Sequence, residues 1–176
     1  MGEITNKIFL TMKNIIITLG LIVFVFSCKK ETKHAIKPTN TTIEKVKKST
    51  KQIKDELVAK GFQTFDYVDE KTQDTILMQQ YFIAFLKSGP ERSQSKEETD
   101  SLQRLHLAHL GKMYEMGYAD ISGPFGDNGD IRGITIYNVP TLKIADSLAN
   151  ADPMVKAGRL VIEMHPWWAA KGFSLR

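Results

Sequence analysis

From Met78 onward the chain alternates short apolar runs with amphipathic helical stretches, and this order limits the folds open to it. Tyr81-Phe82-Ile83-Ala84-Phe85-Leu86 is a continuous apolar, aromatic-rich run with the composition of a central strand, stopped by Ser88-Gly89-Pro90. Ser95 to Met116 is predicted helical. Glu97, Glu98 and Asp100 favour its positive N-terminal end, and Leu102, Leu105, Leu110 and Met113 form its expected buried face. Gly117 ends that helix, and a short segment leads to Ser122-Gly123-Pro124-Phe125, where a tight Gly-Pro turn is expected. Gly126 to Asp130 is a turn cluster, Arg132 to Asn138 alternates as a strand does, Leu142 to Asn150 is a second helix, and Leu160 to Met164 is a last strand. The order β-α-β-β-α-β predicts an α+β domain with the split βαβ arrangement of a ferredoxin-like fold.

The 176 residues exceed what this domain needs. Their formal charge of +4 is unevenly placed. Residues 29–60 hold ten Lys against four Asp and Glu, residues 1–28 add one positive charge, and residues 61–176 are left at −3. The basic character belongs to a tether rather than to the domain, which argues against nucleic acid as a partner. The single cysteine, Cys28, excludes an intrachain disulfide. It follows Lys13, an apolar run from Ile15 to Phe26, and Ser27. The run of twelve residues, interrupted only by Thr18 and Gly20, is too short to cross a hydrocarbon core of ~30 Å as a helix, but it suits the core of a secretory signal. Val25-Phe26-Ser27-Cys28 resembles a bacterial lipobox, in which Cys28 is lipidated and becomes the mature N-terminus. The expected location is then the bacterial cell envelope, at the periplasmic or outer-membrane face. Met12 is an alternative start.

Residues 29–42 are polar, contain Pro38 and show no period, as expected of a linker. Thr42 is a candidate cap for a basic amphipathic helix with the narrow stripe Ile43, Val46, Thr50, Ile53 and Leu57, ended by Gly61. The expected organisation is a signal over 1–28, linker and extra N-terminal helix over 29–60, and the domain over 61–176.

His106 lies four residues from both Leu102 and Leu110, on one helix face. A partly shielded imidazole there suits a general base, or equally a core histidine satisfied by a carbonyl. His109 makes a His-x-x-His pair with it, but no spacing selects further metal ligands. His165, beside Pro166-Trp167-Trp168, is expected at a surface or interface. Asp152 before Pro153 either ends a helix or points back at His106. Gly123 and Gly133 could let a ligand approach the backbone, and Arg159 could bind a substrate anion or pair with a carboxylate.

Several of these segments occur in one order: Tyr81 to Pro90, His106, Gly117, Ser122-Gly123-Pro124-Phe125, Gly133, and Ala151-Asp152-Pro153-Met154-Val155-Lys156-Ala157-Gly158. That order resembles the YCII-related (YciI-like, DGPF-type) domain family over roughly residues 78–168. The resemblance implies a dimeric ferredoxin-like α+β fold with a cleft that holds a histidine and an aspartate. The catalytic pair maps onto His106 and Asp152, and one family member dehydrochlorinates a hydroxylated aromatic ring. Ser122 stands where some members carry aspartate, so that acid is missing here.

The expected function is a cofactor-independent lyase or isomerase step on a small molecule. His106 would be the base and Asp152 its orienter, with Gly123, Phe125 and Arg159 at the substrate. No metal is required, because acid–base chemistry alone drives such steps. The alternative is a non-catalytic module that binds a ligand or partner at the envelope. Cys28→Ser should move the protein from the membrane pellet to the soluble fraction; retention would assign the anchor to an uncleaved signal or to the basic helix.

Overall fold

The structure is a computed structural model that describes residues 48–175. The signal-like run, Cys28, the linker, Thr42, Ile43 and Val46 all lie outside the described residues. The chain runs α1 (Thr50–Ala59), β1 (Thr64–Val68), β2 (Thr75–Ser88), α2 (Lys96–Glu115), β3 (Ala119–Pro124), β4 (Ile131–Tyr137), α3 (Leu142–Asn150), α4 (Pro153–Lys156) and β5 (Leu160–Ala170). Among the described residues, no helix is long and apolar enough to cross a membrane.

The long strand β2 organises the sheet. Along one edge it pairs continuously with β5, from Met78↔Ala170 to Ser88↔Leu160. A strand has only two edges, so its other two partners share the opposite one. There β1 takes Thr75 to Gln79 and β4 takes Phe82 to Lys87, end to end. All pairings are antiparallel, and β3 closes the far side on β4. The order β5-β2-β4-β3 is that of a ferredoxin-like α+β fold, with α1 and β1 added in front.

Burial along β2 changes phase in the middle. Leu77, Gln79 and Tyr81 are buried in its first half, and Phe82, Ala84 and Leu86 in its second. Side chains alternate faces along a strand, so the two halves bury opposite faces. Phe82, Ala84 and Leu86 share one core with Met113 of α2, Ala145 and Ala149 of α3, and Met154 of α4. The helices therefore cover the face that these β2 residues present.

Ser49 caps α1 in a capping box with Gln52, so this helix begins at Thr50. Thr50, Ile53 and Leu57 are half-buried, the part of the expected stripe that lies in the described residues. Ser95 and Glu98 form the same box at the start of α2. Leu105 departs from expectation: it is 51% exposed, because it sits at the margin of the stripe that runs through Leu102, His106 and Met113.

Two proline-containing segments, one expected as a turn and one beyond the expected last strand, are strand. Ser122-Gly123-Pro124 is the end of β3, paired through Pro124↔Gly133, and not a tight turn. Pro166-Trp167-Trp168 continues β5 well past Met164. Both strands are sheet edges, where the N–H that proline lacks is not needed by a neighbour. Trp168 packs edge-on to Phe65 at 5.0 Å, and Trp167 lies 6.1 Å from Tyr81.

The start of β5 is fixed by a close backbone approach. Gly89 N–H donates to the Arg159 carbonyl (2.9 Å) and Glu91 N–H to that of Gly158 (3.1 Å), with Gly158 at φ +69°. A Cβ on Gly89 would lie 2.1 Å from the Gly158 oxygen, which is backbone and cannot swing aside. Gly89→Ala should cost about 1–3 kcal/mol in urea denaturation. Gly111→Ala in α2, where a Cβ meets nothing within 4 Å, should instead stabilise by up to about 1 kcal/mol.

Candidate active site

The site is built where α2 passes α4. His106 is 8% exposed and Asp152 is 2% exposed. Asp152 does not close α3, which ends at Asn150 with Ala151 as its C-cap; it is the N-cap of the one-turn helix α4, with Pro153 at the first helical position. A residue before proline is driven to extended backbone, and Asp152 has φ −59° and ψ 131°. That conformation aims its carboxylate back at α2. Oδ1 accepts the Met154 N–H at 2.8 Å, and Oδ2 accepts the Nδ1–H of His106 at 2.6 Å.

The contact sets the imidazole's tautomer. With the Nδ1 proton donated to a carboxylate, Nε2 of the neutral ring carries the free lone pair. Among the described residues, the buried side-chain polar atoms without a partner are Thr64 Oγ1, Gln79 Oε1 and Arg159 Nε. His106 Nε2 is not one of them, and the residue lines a cavity of about 460 Å³. This nitrogen therefore meets open space. Nearby, burial pushes the phenol of Tyr137 well up, with the Asp152 carboxylate adding to the effect, so this tyrosine stays neutral.

Ser122, Gly123 and Pro124 of β3 line the same cavity. Ser122 Oγ is 3.1 Å from Thr135 Oγ1 on β4. Gly123 has nothing within 4 Å of an ideal Cβ, so its side of the cavity is open. Gly133 is different: a Cβ there would lie 2.6 Å from the Gly123 oxygen, so it serves strand packing. Arg159 lines the cavity at the start of β5. Phe125 does not belong to the site. It lies past the end of β3, is 43% exposed, and lines no part of this cavity.

His109 turns from the cavity and donates from Nε2 to the Leu148 carbonyl at 3.1 Å, which ties α2 to α3. His165 is exposed and lies 2.9 Å from Glu163, whose carboxyl is held low by His165 and by Lys87. Sequence reasoning passed over Arg92, Gln103 and Arg132 in the cavity wall, and Gln94 behind Arg159. They come from a loop, a helix and a strand, and no spacing links them.

No family model matches the chain. No curated protein matches it either. Among solved structures it is similar to 5-chloro-2-hydroxyhydroquinone dehydrochlorinase from Burkholderia phenoliruptrix AC1100, determined in complex with 2,5-dihydroxybenzoquinone. The identity is 22% and the TM-score 0.39, over 49% of this chain and 92% of that one.

Asp152→Ala removes a helix cap and leaves the His106 Nδ1–H without its acceptor. It should cost about 2–4 kcal/mol in chemical denaturation. Asp152→Asn can keep the Met154 bond, so it should cost less while shifting the His106 tautomer, read from imidazole ¹⁵N chemical shifts.

Proposed function

We propose that this is a YCII-like domain in which His106 acts as general base on a small molecule held in the cavity. The observation that carries the reading is the 2.6 Å His106–Asp152 contact, with the opposite ring nitrogen open to the cavity. In the proposed step, Nε2 takes a proton from a substrate carbon. The electron pair left behind either expels a leaving group as an anion or moves to a neighbouring atom. The first outcome is elimination and the second isomerisation. The imidazolium formed is stabilised by the Asp152 carboxylate, which is already in place and needs no reorganisation. The histidine returns its proton to product or solvent. Ser122 is a hydroxyl at the cavity wall and supplies hydrogen bonding, where an acid would have supplied charge.

The same proposal includes the setting of the domain. Its anchor is Cys28, supported by the apolar run that ends in Ser27-Cys28. Its partner is a second copy of the chain, supported by the sheet face away from the helices. Cross-strand pairing places Ile121, Ile136 and Ile83 in one row on that face, with Phe85 and Ile134 in the next. Trp167, paired with Tyr81, extends it toward the open end of the sheet. The rival reading is a module that binds through this face without turning anything over.

Full-length protein should release chloride from chlorinated polyhydroxybenzenes or polyhydroxybenzoates, or take up solvent deuterium into unchlorinated ones. His106→Asn should lower that rate by about 10²–10⁴-fold with an unchanged circular dichroism spectrum. Turnover that survives in His106→Asn removes His106 from the chemistry, and absence of turnover throughout the panel favours the binding module.

A further inference from the structure

The cavity in front of His106 is lined by three arginines, Arg92, Arg132 and Arg159, and by no carboxylate. Asp152 stands behind His106, and its two oxygens are engaged by His106 and Met154. Elsewhere on the domain, lysines find acidic partners: Lys51 with Asp55, Lys54 with Asp66, Lys87 with Glu163 and Asp130, Lys96 with Asp100. None of the three cavity arginines makes an ion pair among the described residues.

Arg159 is the most constrained of the three. It is half-buried, while Arg92 and Arg132 are exposed at the mouth. Its Nη1 donates to Gln94 Oε1 at 2.9 Å, and Gln94 Nε2 donates in turn to the Ala157 carbonyl at 3.2 Å. Gln94 is thus oriented to hold the guanidinium without neutralising it. Arg159 Nε is shielded from water and has no acceptor. A guanidinium keeps its charge at any pH a protein meets, so this cluster cannot relieve itself by losing protons. Three like charges that share one cavity oppose one another unless an anion joins them. The rest of the wall includes Leu86, Leu110, Met154 and Leu160, which suit an apolar body.

We infer that the ligand of this cavity is a small organic carboxylate, its anionic end met by Arg159 and the rim arginines and its apolar part set against Leu110 and Met154. This rests on reading the cavity as the place where His106 acts. Guanidinium groups match a carboxylate's two oxygens in a plane. They also serve the proposed step, because removal of a proton from carbon by His106 leaves negative charge on the substrate. Fixed cations beside it stabilise that charge as it forms.

The test uses benzoate and its neutral isostere benzamide, titrated into the full chain by calorimetry. Benzoate should bind at least about tenfold more tightly than benzamide, and Arg159→Gln should remove at least about tenfold of benzoate affinity while leaving benzamide unchanged. Arg132→Gln, at the exposed rim, should give a smaller loss in the same direction. Should Arg159→Gln fail to fold, the benzoate-to-benzamide ratio of the unaltered protein decides. Equal binding of the two, no saturable binding of benzoate at millimolar concentration, or undiminished benzoate binding in a folded Arg159→Gln protein overturns the inference. His106→Asn separates the two readings. Benzoate selectivity retained there, with no turnover of any compound by the unaltered protein, keeps the carboxylate site and removes the catalytic role. Turnover by the unaltered protein without benzoate selectivity does the reverse.

Discussion

One buried carboxylate holds the site together. Asp152 accepts one hydrogen bond from the first turn of α4 and another from an imidazole on α2. A carboxylate at 2% exposure needs its lone pairs engaged, and these two donors engage one oxygen each. The dependence runs the other way as well. A helix as short as α4, Pro153–Lys156, has no independent stability, since helix nucleation alone is unfavourable. Its cap, its proline at the first position and the burial of Met154 hold it in place. The same contact that starts α4 thus fixes the position and tautomer of His106.

Backbone approaches frame that contact. Gly89 admits the Gly158 and Arg159 carbonyls to the end of β2, and Gly133 admits the Gly123 carbonyl to β4. The first sets where β5 begins, and therefore where Arg159 enters the cavity wall. The second draws the end of β3 against β4, and therefore sets the opposite wall. Gly133 also lines the cavity itself. The effect of Gly89 on the site passes through the sheet, in which β2 is paired along both edges.

The element order was legible in the sequence because each element keeps one period: 3.6 in α2 and α3, two in β4, and a solid apolar run in the middle of β2. Its limits were less so wherever proline occurs. Pro124 and Pro166 suggest breaks, but both lie on edge strands where the missing donor is not needed, and only tertiary position reveals that. The phase change of burial at Tyr81 and Phe82 is hidden for a related reason, since both faces of an apolar run look alike. His106 was singled out by its helical spacing. Its partner, forty-six residues away, carried two meanings in the sequence, helix end or orienter, and Asp152 is in fact a cap and an orienter at once. Phe125 was expected at the site together with Gly123; it lies just past the end of β3 and lines no part of the cavity. Arg159 was named as a possible anion ligand, but Arg92 and Arg132 gave no signal, since a loop, β4 and the start of β5 converge only once the sheet is assembled.

Charge placement ties these observations into one scheme. Residues 61–176 carry a formal −3, so the basic cavity is a local feature set against the balance of its own domain. At a distance a small anion meets a weakly repulsive surface, damped beyond a Debye length of about 8 Å at physiological salt. Within the cavity, apolar walls keep field lines from spreading into solvent, and the arginine charge is felt more strongly than on an open surface. Under the proposed reading, selectivity for an anion arises at the point of contact rather than by long-range attraction. His106 stands in the same enclosure, paired through Nδ1 and open through Nε2, so in the proposed reaction the group that would remove a proton and the groups that would stabilise the resulting charge share one small volume.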